Sequence, residues 1–267
     1  MQLKFKIQHF AAISALALSA GMAYGSQEIV GSWYVAEAND VVMFNFLADG
    51  RYLQSSIISG DAAHTGIEWG YYNWNEVSGE IAATSVGDTN GDWGLANDVD
   101  GAYFVQVNGN TMTGVQPGCS DCGASLSRLI TGNSPIVGSW LYDLGFATHL
   151  SVTTMFDSGF YIHARVQAGD AEHTGIEWGT YSWNAGTGEI SAVSLGDTNG
   201  GWGLAGDTDG NQYVLVNGNT AQLFQPGCDD CSGQLVRIMP VPEPETYALM
   251  LAGLGLVGFA ARRRKLD

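Results

Sequence analysis

The feature that most constrains the fold of this chain is an internal duplication. The segment GDAAHTGIEWGYYNWN at residues 60–75 returns as GDAEHTGIEWGTYSWN at residues 169–184, with 13 of 16 positions identical. This offset of 109 residues persists to the end of the second copy, whereas VGSW at residues 30–33 returns 107 residues later. Two additional residues must therefore lie early in the second copy, before Gly159. The duplication predicts two similar domains of about 100 residues each.

Comparison of the two copies indicates β-strands. In GEIAATSV and its counterpart GEISAVSL, positions 81, 83 and 85 are kept while the positions between them change. Alternate retention is typical of a strand with one buried and one solvated face. Gly70 and Gly179 lie inside such strands and predict a bulge. Turn sequences recur about every ten residues and no amphipathic helix is evident, so we predict an all-β fold of two tandem antiparallel β-barrel or sandwich domains, with about eight strands each.

The two ends of the chain have the composition of targeting segments. Lys4 and Lys6 precede an apolar run and then small residues, which is typical of a secretory signal peptide. Between Glu245 and Arg262 the chain is uncharged and mostly apolar, long enough for a short transmembrane helix whose basic end stays in the cytoplasm. The predicted organisation is a signal peptide at 1–25, a first β domain at 26–130, a linker at 131–136, a second β domain at 137–239 and a sorting segment with its transmembrane helix at 240–267.

The C-terminal segment resembles a known sorting signal. A Pro-Glu-Pro motif, a short apolar helix and an arginine-rich end follow one another as in the PEP-CTERM signal of Gram-negative bacteria. This resemblance implies recognition and removal of the tail by an exosortase, a membrane transpeptidase-like enzyme, so that the helix anchors the protein in the membrane only before processing. It further implies export through the inner membrane to the cell surface or the extracellular medium, and association with exopolysaccharide and biofilm. The motif residues are Pro242, Glu243, Pro244, Arg262, Arg263 and Arg264.

Each copy also has a characteristic residue near its beginning and another near its end. A GSW sequence opens each copy with Trp33 or Trp140, and the last strand of each carries Arg128 or Arg237. This pattern resembles the calycin superfamily of lipocalin-like barrels, in which a last-strand arginine covers a first-strand tryptophan. The resemblance implies a cation–π contact worth about 0.5–2 kcal/mol that closes each barrel.

The charge of the exported region excludes several classes of function. Residues 26–245 contain four arginines, no lysine and 26 acidic residues, which gives a formal charge of −22. Such a field repels nucleic acid and anionic lipid, and without lysine neither Schiff-base chemistry nor a P-loop is possible. The chain contains neither a G-x-S-x-G nor an HExxH sequence. Both domains repeat the same side chains, which disfavours one composite catalytic centre, so we expect no enzymatic activity.

The four cysteines form two CxxC pairs, each just after a Pro-Gly turn. In an exported protein this arrangement predicts one short-loop disulfide in each domain. Redox chemistry and a metal site are the alternatives, but an Asp-rich turn disfavours the thiolate that both would need. The predicted disulfides join Cys119 to Cys122 and Cys228 to Cys231.

The loop GDTNGDWG at residues 87–94 begins with oxygen ligands at the first, third and fifth positions of a calcium loop. It is not an EF-hand, because Trp93 and Val99 occupy the positions of the required glycine and bidentate acid. A different type of calcium site and a tight Asx-type turn both remain open, and calcium is the one cofactor that the sequence suggests. The candidate ligands are Asp88, Asn90, Asp98 and Asp100, with Asp197, Asn199, Asp207 and Asp209 in the second copy.

Two further pairs of residues are candidate binding groups. His64 and His173 recur beside acidic residues, which is compatible with metal binding, proton transfer or a simple loop hydrogen bond. Trp93 and Trp202 recur in polar loops, where an indole could stack on a sugar or fold back as a lid on the barrel end. His149 and His163 have no counterparts in the first copy and suggest no role.

Two classes of function follow from these observations. The first is a non-catalytic surface or matrix protein that binds polysaccharide or another matrix component. The alternative is a lipocalin-like carrier that holds a small apolar ligand inside a barrel. A large apolar cavity would favour the carrier, whereas filled barrels with an exposed Trp/Asp face would favour the matrix protein.

Overall fold

The computed structural model describes residues 28–91, 93–96, 101–119, 123–132, 134–206, 211–228 and 232–239. The predicted signal peptide and the sorting segment with its helix lie outside these ranges. Inside them every regular element is a β-strand, and there is no helix of the length and apolarity that a membrane span needs.

Sixteen strands form two closed antiparallel barrels of eight strands each, so the all-β prediction is confirmed with barrels rather than sandwiches. In each barrel the strands follow chain order and the last pairs with the first, which leaves no open edge. The strands of the first barrel are β1 (Gly31–Glu37), β2 (Asp40–Phe46), β3 (Arg51–Ile57), β4 (Gly66–Trp74), β5 (Glu80–Asp88), β6 (Tyr103–Asn108), β7 (Thr111–Val115) and β8 (Ala124–Arg128). Those of the second are β9 (Gly138–Asp143), β10 (His149–Met155), β11 (Phe160–Gln167), β12 (Gly175–Trp183), β13 (Glu189–Asp197), β14 (Gln212–Asn217), β15 (Thr220–Phe224) and β16 (Gly233–Arg237).

The first hairpin of the second barrel contains the two additional residues. Trp33 of β1 pairs with Phe44, whereas the equivalent Trp140 of β9 pairs with Thr153. The change of offset from 107 to 109 therefore falls between β9 and β10, as the sequence predicts. From this hairpin onwards, a position in the second barrel corresponds to the position 109 residues earlier in the first.

The positions of β4 and β5 that the two copies keep lie inside the barrel. Tyr72, Trp74, Ile81 and Ala83 all belong to the apolar cluster inside the first barrel, which also includes Trp33. The changed positions between them point to solvent, and Tyr71 is one of these exposed side chains. The alternating pattern thus identifies the buried face of the two strands correctly.

The two glycines predicted to mark bulges do so. The register of β4 on β5 shifts between Trp69 and Gly70, and that of β12 on β13 shifts between Trp178 and Gly179. A bulge bends a strand and increases its twist, which helps a sheet of eight strands to close.

The closing contact of each barrel has the predicted geometry. The guanidinium carbon of Arg128 lies 3.9 Å from the ring centroid of Trp33, and the two residues are paired across the β8–β1 seam. Arg237 lies 4.1 Å from the ring of Trp140 in the second barrel. Arg128 also donates to the carbonyl oxygen of Val30, and Trp33 Nε1 donates to that of Ile29, so both side chains are held by the chain segment that precedes β1.

The outer faces of the barrels contact one another. Leu53 and Ile67 of the first barrel share an apolar cluster with Leu150 and Ile162 of the second, together with neighbouring side chains. At its edge, the Arg51 guanidinium forms a bidentate ion pair with the Asp143 carboxylate, which holds the pKa of that carboxyl below its usual range.

Candidate functional site

Each barrel contains a cavity at the same place in the fold, partly open to solvent. The volume is about 380 Å³ in the first barrel and about 330 Å³ in the second. Both values lie in the range of small-molecule sites in proteins, and an eight-stranded barrel is just wide enough to hold one small ligand. The barrels are therefore hollow at one end, and the cavities are the candidate functional sites.

The cavity of the first barrel is mainly apolar. The inward-facing residues of β2 contribute Val42 and Phe44, and Val105, Met112 and Leu126 come from later strands. Gln54 of β3 supplies an amide, but its Oε1 accepts a hydrogen bond from the backbone N–H of Leu95 at 2.9 Å. A cavity with this lining favours an apolar ligand.

The cavity of the second barrel has polar side chains at equivalent positions. Strand residues alternate between faces, and the cavity is lined by His149, Ser151 and Thr153 of β10 and by His163 and Arg165 of β11. Val42 and Phe44 correspond to Ser151 and Thr153, and Gln54 and Ser56 correspond to His163 and Arg165. The duplicated domains therefore have the same fold but chemically different interiors.

The polar groups of the second cavity are held by neighbouring side chains. Thr153 Oγ1 and His163 Nδ1 are 2.8 Å apart. Arg165 Nη2 donates to Gln167 Oε1 at 3.0 Å. Burial, with the nearby charge of Arg165, lowers the pKa of His163 to about 3 and also lowers the pKa of His149. At neutral pH both imidazoles are uncharged and Arg165 is the cation of the cavity.

A loop covers the mouth of each cavity and carries the candidate tryptophans. Trp93 and Trp202 each line the cavity of their own barrel, and Trp202 also lies 4.6 Å from the guanidinium carbon of Arg165. The fully buried Asn90 holds its loop, because its Nδ2 donates to the carbonyl oxygen of Trp93 at 2.5 Å. Asn199 makes the same bond to Trp202. These contacts support the interpretation of each tryptophan as a lid.

A buried carboxylate ties the same loop to the barrel wall. Glu68 is fully buried, and its Oε1 accepts from the hydroxyl of Tyr52 at 2.6 Å and from the backbone N–H of Ala96 at 3.0 Å. Burial raises the pKa of Glu68, although these hydrogen bonds oppose the shift. Glu177 accepts the equivalent bonds from Tyr161 at 2.7 Å and from Ala205 at 2.9 Å.

His64 and His173 lie beside the tryptophans but not beside these carboxylates. His64 Nδ1 is 2.6 Å from Asp61 Oδ2, and its ring centroid is 6.0 Å from that of Trp93. His173 bonds to Asp170 in the same way and lies 4.7 Å from Trp202. The structure thus brings each predicted histidine and tryptophan together at a cavity mouth, with the imidazole bonded to a loop carboxylate.

The calcium prediction stays untested. Asp88 and Asp197 end β5 and β13, and Asn90 and Asn199 lie in the loops that follow. The other four candidate ligands fall outside the described residues: Asp98, Asp100, Asp207 and Asp209. In the part of the chain that the structure describes, no three His, Cys, Asp or Glu side chains are grouped as metal ligands. Asn90 and Asn199 each donate from Nδ2 to the carbonyl oxygen three residues later in their own loop.

The disulfide prediction stays open for a similar reason. Cys119 and Cys228 are described and each follows a Pro-Gly turn, as the sequence indicates. Their predicted partners Cys122 and Cys231 lie outside the described ranges.

The comparison with protein families identifies the end of the chain. Residues 240–265 match the family model of the PEP-CTERM protein-sorting motif, and this range contains the predicted Pro-Glu-Pro and arginine residues. The motif implies export, an exosortase as processing partner, and membrane-associated processing that ends at the cell surface. No curated protein matches the chain.

Sliding clamps are among the solved structures with some likeness to the chain. The beta clamp of Helicobacter pylori bound to a DNA ligase peptide is 10% identical with a TM-score of 0.13, and the match covers 80% of this chain and 59% of the clamp. The DNA polymerase III beta subunit of Thermotoga maritima is 8% identical with a TM-score of 0.12, and the match covers 83% of this chain and 59% of the subunit. The chain thus spans about three fifths of these proteins, and scores this low carry no argument about fold or function.

Proposed function

We propose that this chain, a PEP-CTERM protein by its sorting motif, is a non-catalytic binding protein of the cell surface or extracellular matrix. Its first barrel would carry a small apolar ligand. The observation that supports this proposal most directly is the cavity of about 380 Å³ lined by Phe44, Met112 and other apolar side chains. Burying an apolar ligand there would contribute about 25 cal/mol for each Å² removed from water.

The loop over the cavity supports a carrier as well. Trp93 lines the mouth, and the described loop residues 93–96 are held by hydrogen bonds to Asn90 and Glu68. Groups that are held in place before binding lose little conformational freedom when a ligand binds, and such preorganisation increases affinity. The lining offers few polar groups, so shape and apolar area would determine the ligand.

The test is binding of a neutral apolar fluorophore, N-phenyl-1-naphthylamine, to the exported region. We expect fluorescence enhancement with one site, and affinity about 10- to 100-fold weaker in the variant V42S/F44T, because apolar contact area is lost. These substitutions introduce the residues that the second barrel has at the same positions. The variant S151V/T153V alters the other cavity and is the matched control, with affinity as in the wild type. No binding by the folded wild type, or equal binding by V42S/F44T, would exclude a carrier function.

A second candidate is polysaccharide binding, which the exposure of Trp202 favours. This side chain is 41% exposed beside the cavity mouth, where a sugar ring could contact its edge. We expect the host's own polysaccharide to bind the tandem protein, and binding to fall at least several-fold in W202A and W93A. Measuring the affinity for the polysaccharide with and without calcium would also test calcium as the predicted cofactor. Binding by both variants as tight as that of the wild type would contradict polysaccharide binding through these tryptophans.

A further inference from the structure

We propose that the cavity of the second barrel is a separate site that binds a small neutral polyol, such as a single pyranose sugar. This site goes beyond the apolar site of the first barrel and takes a ligand of a different class. It also differs from polysaccharide binding at the exposed edge of Trp202, because the sugar would lie inside the cavity of about 330 Å³. A volume of this size lies in the range of small-molecule sites in proteins.

Three hydrogen-bonding groups that face the cavity are the first argument. Ser151 and Gln225 are buried, His163 is half-buried, and all three line the cavity. His163 bonds to Thr153 through Nδ1. In the described part of the chain, nothing bonds to His163 Nε2, to Ser151 Oγ or to the side-chain amide of Gln225. A buried polar group without a partner costs free energy, so these groups require water or a ligand.

The kind of hydrogen bond that these groups offer is the second argument. The hydroxyl of Ser151 and the amide of Gln225 each contain both a donor and an acceptor. The Nε2 atom of a neutral imidazole donates in one tautomer and accepts in the other. A ligand hydroxyl fits both cases because it can donate and accept, whereas a ligand carbonyl can only accept. Several neighbouring hydroxyls, as on a sugar ring, therefore match this set of groups.

The charges of the cavity favour a neutral ligand. Arg165 is already engaged within the protein, because it stacks on Trp202, donates to Gln167 and has a further interaction in the chain. His149 and His163 have lowered pKa values and are uncharged at pH 7. The formal charge of −22 over residues 26–245 repels anions at long range, and the guanidinium disfavours a cation inside the cavity. A neutral ligand therefore meets the smallest electrostatic cost.

Aromatic rings line the same cavity and could contact the apolar face of a sugar. Trp202, Tyr142 and Phe224 are among the lining residues. Phe224 is stacked on Tyr213 at 5.2 Å, and Tyr142 packs edge-to-face on His149, also at 5.2 Å, so both rings are held in place. An aromatic ring provides apolar contact area at a polar site. An apolar ligand would displace water from the polar groups without replacing its hydrogen bonds, whereas a polyol would reproduce them.

Titration calorimetry of the exported region with D-glucose, D-galactose and D-mannose tests the site. Cyclohexanol, a ring of similar size with a single hydroxyl, is the ligand control. We expect at least one sugar to bind with one site per chain, and cyclohexanol to bind much more weakly. Affinity for the sugar should fall about 10- to 100-fold in S151V/T153V, because ligand hydroxyls lose their partners in a partly buried site. The variant V42S/F44T alters the first cavity and should leave the affinity of this site as in the wild type.

Further readouts separate loss of binding from loss of folding. S151V/T153V should unfold cooperatively and still bind the neutral apolar fluorophore in the first barrel, which also separates this inference from the proposed carrier function. S151A removes one hydroxyl without adding bulk and should weaken sugar binding several-fold. W93A changes the first barrel and should leave sugar binding unchanged, whereas the polysaccharide candidate requires its binding to fall.

Four results would overturn the inference. The first is that no sugar binds the folded wild type, and the second is that cyclohexanol binds as tightly as the sugars. The third is that both S151A and S151V/T153V bind the sugar as tightly as the wild type. The fourth is that W93A weakens sugar binding, which would assign the sugar to the first barrel.

Discussion

Replacement of Pro242, Glu243 and Pro244 by alanine is expected to abolish maturation of the protein in its native host. The three residues lie in the matched sorting motif, and the motif implies an exosortase as the processing enzyme. Without processing, the apolar segment before Arg262 would remain attached to the exported region. Insertion of such a segment in a bilayer is effectively irreversible, so the expected effect is all-or-none.

Mass spectrometry of the released and membrane-bound fractions tests this expectation. Released wild-type protein should have a C-terminus upstream of Thr246, and the alanine variant should stay with the membranes and end at Asp267. Val77→Ala is the matched control, because this side chain is 98% exposed in a turn of the first barrel and far along the chain from the motif. Intact chains ending at Asp267 outside the cell, or normal release of the alanine variant, would contradict processing at this motif.

The barrel architecture could be predicted from the sequence because the duplication provides its own comparison. Positions kept in both copies reveal the buried face of β4 and β5, and Gly70 marks the bulge because a side chain does not fit there. The closing pairs Trp33–Arg128 and Trp140–Arg237 were predictable because both copies place a tryptophan at one end and an arginine at the other. In each case both barrels impose the same physical requirement, so the residues that meet it occur in both copies.

The chemical difference between the two cavities was not predicted, because the residues that cause it are not repeated. His163 and Arg165 correspond to Gln54 and Ser56 in the first copy, and a side chain that is not repeated gives no signal in a comparison of repeats. A signal was nevertheless present. The four inward positions Val42, Phe44, Gln54 and Ser56 of β2 and β3 all differ from their counterparts in β10 and β11. Only the strand register shows that these four positions form one surface.

The role of the acidic residues near the histidines was also only partly predictable. Glu68 follows His64 closely in sequence, yet it lies on a strand and points inward to the hydroxyl of Tyr52. His64 lies in the preceding loop and bonds to Asp61. Because a strand sends successive side chains to opposite faces, closeness in sequence does not imply closeness of the functional groups.

Substitution of Gly179 by alanine is expected to destabilise the second barrel more than any exchange in its cavity. An ideal Cβ at this position would lie 2.0 Å from the carbonyl oxygen of Val193, which belongs to the neighbouring strand. A flexible side chain could move away, but a backbone carbonyl in a barrel can move only if the bulge and its hydrogen bonds move with it. Overpacking of a well-packed core usually costs about 1–3 kcal/mol, and we expect a loss at or above the upper end of this range in the free energy of unfolding.

Urea unfolding followed by circular dichroism measures this loss, with Gly186→Ala as the matched control. Gly186 lies in a turn of the same barrel, where the nearest atom to an added Cβ is the side-chain oxygen of Asn184 at 3.3 Å. The equivalent position in the first barrel is Val77, so a side chain is compatible with this turn. Gly70→Ala should behave like Gly179→Ala, because its Cβ would lie 2.0 Å from the carbonyl oxygen of Thr84. If Gly179→Ala unfolded at the same urea concentration as Gly186→Ala, the close approach of the neighbouring strand would not exclude a side chain at this position. The bulge would then be a consequence of barrel closure rather than a cause of it.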